Sequence, residues 1–261
     1  MEISQRIAVT GMLASQRQLE VVSNNLANVN STGFKRAVAH TTDTGYQAGL
    51  TAPVGPGGLD VHLIGIGQGT QLADISHEFM PGSLQATGNP FDVALQGDGF
   101  FSVSMPDGTT GYTRDGSFNI DAEGRLVTSG GLAVQSDSGA DLVLPGGTAS
   151  ARFDDTGQLL ATDSVTGTEQ SVGSLGLVQF ANNAGLQANG QNLWSATAAS
   201  GAASLMAPST MIVAGALEGS NVDMADEFTR LMQAQRGYQL NSKLVQSWDE
   251  IQQMANNLKS A

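Results

Sequence analysis

Five oxygen-bearing side chains alternate through Asp115-Gly-Ser117-Phe-Asn119-Ile-Asp121-Ala-Glu123, the kind of spacing that holds calcium. A calcium loop of EF-hand type needs glycine at its sixth position and glutamate at its twelfth, where this chain has Ile120 and Leu126. An exposed strand face bounded by two turns explains the alternation better. Gly65-Ile-Gly-Gln-Gly69 suggests a phosphate-cradling loop, but it lacks the GxGxxG spacing and no Walker lysine follows, so it reads as a turn or a close backbone contact. His40, His62 and His77 are the only histidines, and no two stand four apart on a helix as a zinc pair would. No GxSxG nucleophile elbow occurs. Asp98, Asp107 and Asp115 contain the makings of a glycosidase dyad, yet each precedes a glycine, and turn chemistry accounts for that. Cysteine is absent, which removes disulfides, thiolate-bound zinc and a thiol nucleophile. The residues thus assign no catalytic group, no metal site and no cofactor.

Composition narrows the field further. The 261-residue chain has 24 Asp and Glu against 11 Lys and Arg, for a net charge of −13. That charge repels phosphate, so nucleic acid and an anionic membrane surface are both poor partners. The length suits one large or two modest domains, on a prior of roughly 150 residues each. No apolar run approaches the roughly 20 residues of a membrane helix. The N-terminus MEISQRIAVTGMLASQRQLE has neither an apolar core nor a small-residue cleavage site, so no cleaved signal peptide is expected.

The elements that would position any function lie at the two ends. Leu19, Val22, Leu26 and Val29 step by three, four and three, a seam of period 3.5, with Ile3 and Ile7 extending it and Gly33 as a helix stop. At the other end Met224, Phe228 and Leu231 begin a second seam, continued by Leu244, Trp248, Ile251, Ala255 and Leu258. Ser220 or Asn221 is a candidate cap for that helix, and Asp223, Asp226 and Glu227 place negative charge in its first turn. Gly237 weakens it by about 1 kcal/mol relative to alanine. Polar residues such as Gln16, Arg17, Gln18, Asn24 and Asn25 flank the N-terminal seam closely, as in coiled coils. Pairing the two helices with each other, and with copies from other subunits, would bury both seams.

Between them, Asp98-Gly99, Asp107-Gly108, Asp115-Gly116 and Glu123-Gly124 recur every eight or nine residues among short apolar strands, a hairpin signal. Further strands are expected at 142–144, 151–153, 158–161 and 176–180, with no long helix between 91 and 205. Residues 51–58 and 196–208 read as loops, and 61–66 as a possible strand. The expected class is α+β: long coiled-coil-type terminal helices flanking a mainly antiparallel β middle. The expected divisions are an N-terminal helix at 1–36, an extended connection at 37–90, a β-rich domain at 91–195, a return connection at 196–222 and a C-terminal helix at 223–261.

Four separated motifs resemble the bacterial flagellar rod and hook proteins, in order and across nearly the whole chain. They are Ser23–Arg36 (SNNLANVNSTGFKR), Asn89–Phe101 (NPFDVALQGDGFF) with Tyr112–Phe118 (YTRDGSF), Glu218–Val222 (EGSNV), and Ala234–Tyr238 (AQRGY) followed by Asn241-Ser-Lys243. On these motifs Asn24, Asn25, Asn28, Gly33, Phe34, Gly97, Gly99, Phe100, Ser220, Asn221, Gln235, Arg236 and Tyr238 are the family-motif residues. Length, Phe180–Gln187 and Gly190–Trp194 are more similar to the distal-rod branch, while Leu217–Val222 is also very similar to the proximal-rod branch. Residues 40–66 depart from the usual pattern in being short of acidic and aromatic residues.

The resemblance implies a structural axial subunit and no enzyme. It implies export through the flagellar type III apparatus without signal cleavage, and helical polymerisation into the periplasmic rod of the basal body. The implied neighbours are further copies of the chain, proximal rod proteins, the hook protein and, where an outer membrane exists, the P- and L-ring proteins. The terminal helices would form the inner tube, packed through Leu19, Val22, Leu26, Val29, Phe228, Leu231, Leu244, Trp248, Ile251 and Leu258. Two other readings compete: a carbohydrate-active enzyme on a β scaffold, which would need carboxylates of split pKa, and a β-rich binding module, which leaves the two helical ends unexplained.

Overall fold

The structure, a computed structural model, describes residues 2–47, 66–206 and 211–260. The loop expected at 51–58, the strand expected at 61–66 apart from its last residue, His62 and Gly65 lie outside the described residues. The fold is α+β, with one long helix at each end and antiparallel strand pairs between them. It divides into two units: residues 1–26, 37–76 and 224–261 form the first, and 27–36 with 77–223 the second.

The first unit is built on helix α1, Glu2–Ala27, and helix α2, Met224–Ser260. They pack antiparallel. A Cβ on Gly11 would lie 2.7 Å from Asn241 Nδ2, a Cβ on Gly237 would lie 3.0 Å from Ser15 Oγ, and Asn25 Nδ2 donates to Glu227 Oε2 at 3.3 Å. Gly237 therefore has a packing reason that offsets its low helix propensity: a side chain there would press on Ser15. The inward row of α1 is Ala8, Gly11, Ser15, Gln18, Val22 and Asn25, stepping by three and four. Only Val22 belongs to the seam expected from Leu19, Val22, Leu26 and Val29. Leu19 and Leu26 are half-buried beside that row. Val29 is not helical at all: α1 ends at Ala27, and a turn follows in which Ser31 N donates to Asn28 O and Ser31 Oγ to Asn28 Oδ1. Gly33 lies too far beyond that end to act as the helix stop.

Strands Ala37–Asp43 and Thr70–His77 pair in the first unit, as do Tyr46–Gln47 and Ile66–Gly67. Asn25 is tied into this framework. Its amide donates to Ala37 O at 2.8 Å and accepts from Ala37 N at 2.9 Å, so the side chain completes a backbone-like pair at the start of the strand.

The second unit holds a six-stranded antiparallel sheet in the order 187–190, 193–195, 110–113, 100–104, 177–179 and 204–205, and a three-stranded one formed by 148–153, 158–163 and 169–174. One core gathers Val93, Leu95, Phe101, Val103, Phe118, Leu126, Phe153 and Leu159. Phe118 stands edge-on to Phe101 at 5.2 Å. A second core joins Phe100, Tyr112, Val178, Phe180, Leu186 and Trp194. Residues 142–144 make isolated bridges, not a strand.

Two of the four acid–glycine pairs are hairpin turns. Gly108 (φ +80°) joins 100–104 to 110–113, and Gly124 (φ +81°) joins 118–120 to 126–128. Asp98-Gly99 instead connects strands of different sheets. Asp115-Gly116 is a site of close backbone approach: Val93 N donates to Gly116 O, and a Cβ on Gly116 would overlap Val93 O. Gly116→Ala is expected to cost about 3 kcal/mol, since the backbone on both sides is fixed. Urea unfolding of the second unit's aromatic signal measures it.

Candidate assembly site

A fully buried carboxylate joins the motifs of the second unit. Glu218 Oε1 accepts from Lys35 Nζ at 2.7 Å and from Gly82 N at 2.9 Å, while Oε2 accepts from Arg114 Nη1 at 3.2 Å. All three charged side chains are out of reach of water. Lys35 also donates to Met80 O at 2.9 Å, and Arg114 Nη2 to Gly97 O at 2.6 Å, with its guanidinium 5.5 Å over the Phe100 ring. Burial pushes both the Lys35 ammonium and the Arg114 guanidinium below their ordinary values, and Glu218 pulls both back toward the charged form. Two cations around one carboxylate, each with a further carbonyl partner, is the arrangement that makes buried charge tolerable.

The same cluster fastens the connectors of the two helices. Gly33 N donates to Glu218 O at 2.8 Å, six residues after α1 ends and six before α2 begins. Gly33 is left-handed (φ +66°), and a Cβ there would sit 2.5 Å from Asp115 N. Asn221 does not cap α2, as the sequence suggested. Its Oδ1 accepts from Arg36 N, and its Nδ2 donates to Glu78 O and Met80 O. Ser220 Oγ accepts from Val222 N, and Asp223 stands immediately before the helix.

Asp115, at the head of the alternating-oxygen segment, accepts from Thr32 Oγ1 at 2.9 Å and from Ser117 N at 3.1 Å. Asp121 turns back on Arg125. Burial raises the Asp115 carboxyl above its ordinary value of 3.8, against the lowering effect of those hydrogen bonds. A raised folded value means the native state holds the proton more tightly. The associated stability is present below pH 3.8 and is lost as pH rises through the folded value. Asp115→Asn should therefore be the more stable protein relative to wild type at neutral pH, with the difference shrinking in acid. Thermal unfolding across pH 3 to 7 checks this.

Of the family-motif residues, Gly33, Gly97, Phe100 and Asn221 converge on the Glu218 cluster. Gly99, buried, lies against Met206, and Phe34 is half-buried. Asn25 fixes the strand start and Asn28 the turn after α1. Asn24, Gln235, Arg236 and Tyr238 lie exposed on the helices. Glu218, Lys35 and Arg114 are not among the site residues expected from the sequence, although each sits inside a glycine-containing motif of a chain with only 13% charged residues.

The residues expected to pack the inner tube divide by exposure. Leu19, Val22, Leu26, Leu231 and Trp248 are buried or half-buried, whereas Phe228, Leu244, Ile251 and Leu258 are exposed. Met224, Met232, Leu240 and Met254 are exposed on the same helix. Helix α2 is electrically balanced, with Arg230, Arg236, Lys243 and Lys259 against Asp226, Glu227, Asp249 and Glu250. The acid excess of the chain thus sits elsewhere, mostly in the second unit. Helix α2 is thus long, electrically neutral and studded with exposed apolar side chains.

Comparison with known proteins identifies the lineage. The family described as "Flagella basal body rod protein" matches residues 6–35, "Flagellar hook protein FlgE/F/G D1 domain" matches 94–161, and "Flagellar basal body rod FlgEFG protein C-terminal" matches 213–258. The flagellar basal-body rod protein FlgG of Agrobacterium fabrum is 39% identical over 97% of this chain and 98% of its own length. The chain belongs to the FlgG family of flagellar basal-body rod proteins. The FlgG of Bacillus subtilis is 38% identical over 96% of this chain and 97% of its own. The hook protein FlgE of Helicobacter pylori is 41% identical, but over 58% of this chain and 22% of its own length. The Glu218 cluster draws its three charges from each of these matched parts or their edges: Lys35 ends the first, Arg114 lies in the second and Glu218 in the third.

Proposed function

We propose that this chain is a structural subunit of the flagellar distal rod, polymerising helically into a shaft that carries torque from the motor to the hook. The observation that carries this reading is the joint presence of full-length FlgG relatives and exposed apolar side chains along the length of α2. In the rod the two terminal helices act as coiled-coil elements of an inner tube, packed by Leu19, Val22, Leu26, Val29, Phe228, Leu231, Leu244, Trp248, Ile251 and Leu258. Many small apolar contacts repeated in every subunit give stiffness without one strong bond. A contact that does not close on itself extends into a filament. The role needs no catalysis and no cofactor.

The neighbours in this reading are other copies of the chain, proximal rod proteins below, the hook protein above, and P- and L-ring proteins where an outer membrane is present. The subunit reaches the basal body through the flagellar type III apparatus without signal cleavage; a chain free of cysteine passes such a channel with no disulfide to undo. Sedimentation of the purified chain over a concentration series tests the assembly role. Polymer that grows with concentration and vanishes when 224–261 is removed is the expected result. A full-length chain that stays monomeric throughout would count against it.

A further inference from the structure

Helix α2 outruns its partner. Gly11 faces Asn241, Ser15 faces Gly237 and Asn25 meets Glu227, so each step forward along α1 is one step back along α2. At that register the first residue of α1, Glu2, falls opposite Glu250, and residues 251–260 continue past it, about 15 Å of helix at ~1.5 Å per residue. On this tip Ile251, Met254 and Leu258 recur at three and four, one apolar stripe, 46%, 58% and 81% exposed.

The same unit contains a groove that fits such a stripe. Thr70 N donates to Thr10 Oγ1 at 3.3 Å, which lays the start of strand Thr70–His77 along α1. The space left beside them, about 260 Å³, is lined by Thr10, Leu13, Ala14, Arg17, Thr70 and Leu72. Leu13 is 57% exposed in it. The tip cannot reach the groove of its own chain: Leu13 lies opposite Gln239, which puts Ile251 and Leu258 about 18 and 28 Å further along the axis. Charge agrees with an exchange between copies. Arg17, which is paired at 2.7 Å with Glu20 on its own helix, rims the groove, and among the described residues no acidic side chain lines it, while the exposed Asp249 and Glu250 lead into the tip.

We propose that the tip of α2 in one copy, through Ile251, Met254 and Leu258, docks in the groove at Leu13 and Leu72 of a second copy. This rests on the assembly reading above and supplies its longitudinal joint. Tip and groove are different surfaces, so the contact propagates head to tail instead of closing into a dimer. The charged rim makes it weaken as salt rises.

Because the chain has no cysteine, the joint can be trapped. Leu13→Cys and Leu258→Cys are made in separate full-length chains, mixed at polymerising concentration and oxidised with diamide, which takes two electrons and two protons from each thiol pair. The expected product is a mixed disulfide dimer that exceeds either like-with-like dimer several-fold and rises with total concentration. A cysteine-free Leu13→Asp chain should keep the circular dichroism of wild type and lose at least ten-fold in polymer yield. Polymer that forms normally without the mixed disulfide would overturn the joint and leave the assembly reading standing. A wild-type chain that never polymerises would overturn both.

Discussion

Glu218→Gln is expected to destabilise the second unit by about 3–5 kcal/mol, the usual cost of leaving buried charge without its counter-ion. The upper part of that range applies, because one carboxylate serves both Lys35 and Arg114, and neither cation reaches water. Glutamine keeps the shape and one acceptor, so the hydrogen bond from Gly82 N can survive while the charge balance does not. The backbone bond from Gly33 N to Glu218 O lies at the same point, so the loss extends to the segments that lead into both helices. Chemical denaturation of the purified chain, with amide exchange at 33–36 and 218–222, measures it. A cost below about 1 kcal/mol would mean that the cluster is solvated or easily repacked.

Leu244→Asp and Ile251→Asp are expected to abolish polymerisation while leaving the monomer folded. Both side chains are about half exposed, so an aspartate on the isolated chain meets water and costs little. In an assembly that buries the α2 surface, the same carboxylate is desolvated in every subunit at a cost of several kcal/mol, repeated along the polymer. Pelleting assays beside circular dichroism separate the two effects. In cells, either substitution should give non-motile bacteria with the subunit made and exported. Normal swimming in either variant would show that these faces stay outside the packed tube.

The presence of a helix at each end, the start of α2 and the antiparallel middle were legible because helical apolar spacing and regularly spaced turns are strong local signals; the end of α1 at Ala27 was not. The row that joins α1 to α2 was not. Ala8, Gly11, Ser15, Gln18 and Asn25 are small or polar, and a search for apolar spacing passes over them in favour of Leu19 and Leu26. Small residues let the helices approach closely within one chain, while larger apolar ones on α2 stay exposed. Val29 showed the same limit from another side. Its spacing fitted the seam, but Asn28 and Ser31 offered the backbone a turn that competed with the helix. Asp115-Gly116 carried the dipeptide of a hairpin and served instead to admit a neighbouring backbone, which no local rule distinguishes. The Glu218 cluster joins residues from positions 35, 114 and 218, and only the folded chain brings them together.

Electron microscopy of hook–basal bodies purified from the source cells, with and without this gene, tests the central claim most directly. The account predicts that the intact particle contains the protein, and that its deletion leaves a rod ending below the outer part of the envelope, with no hook attached. Complete basal bodies with hooks in the deletion strain would contradict it.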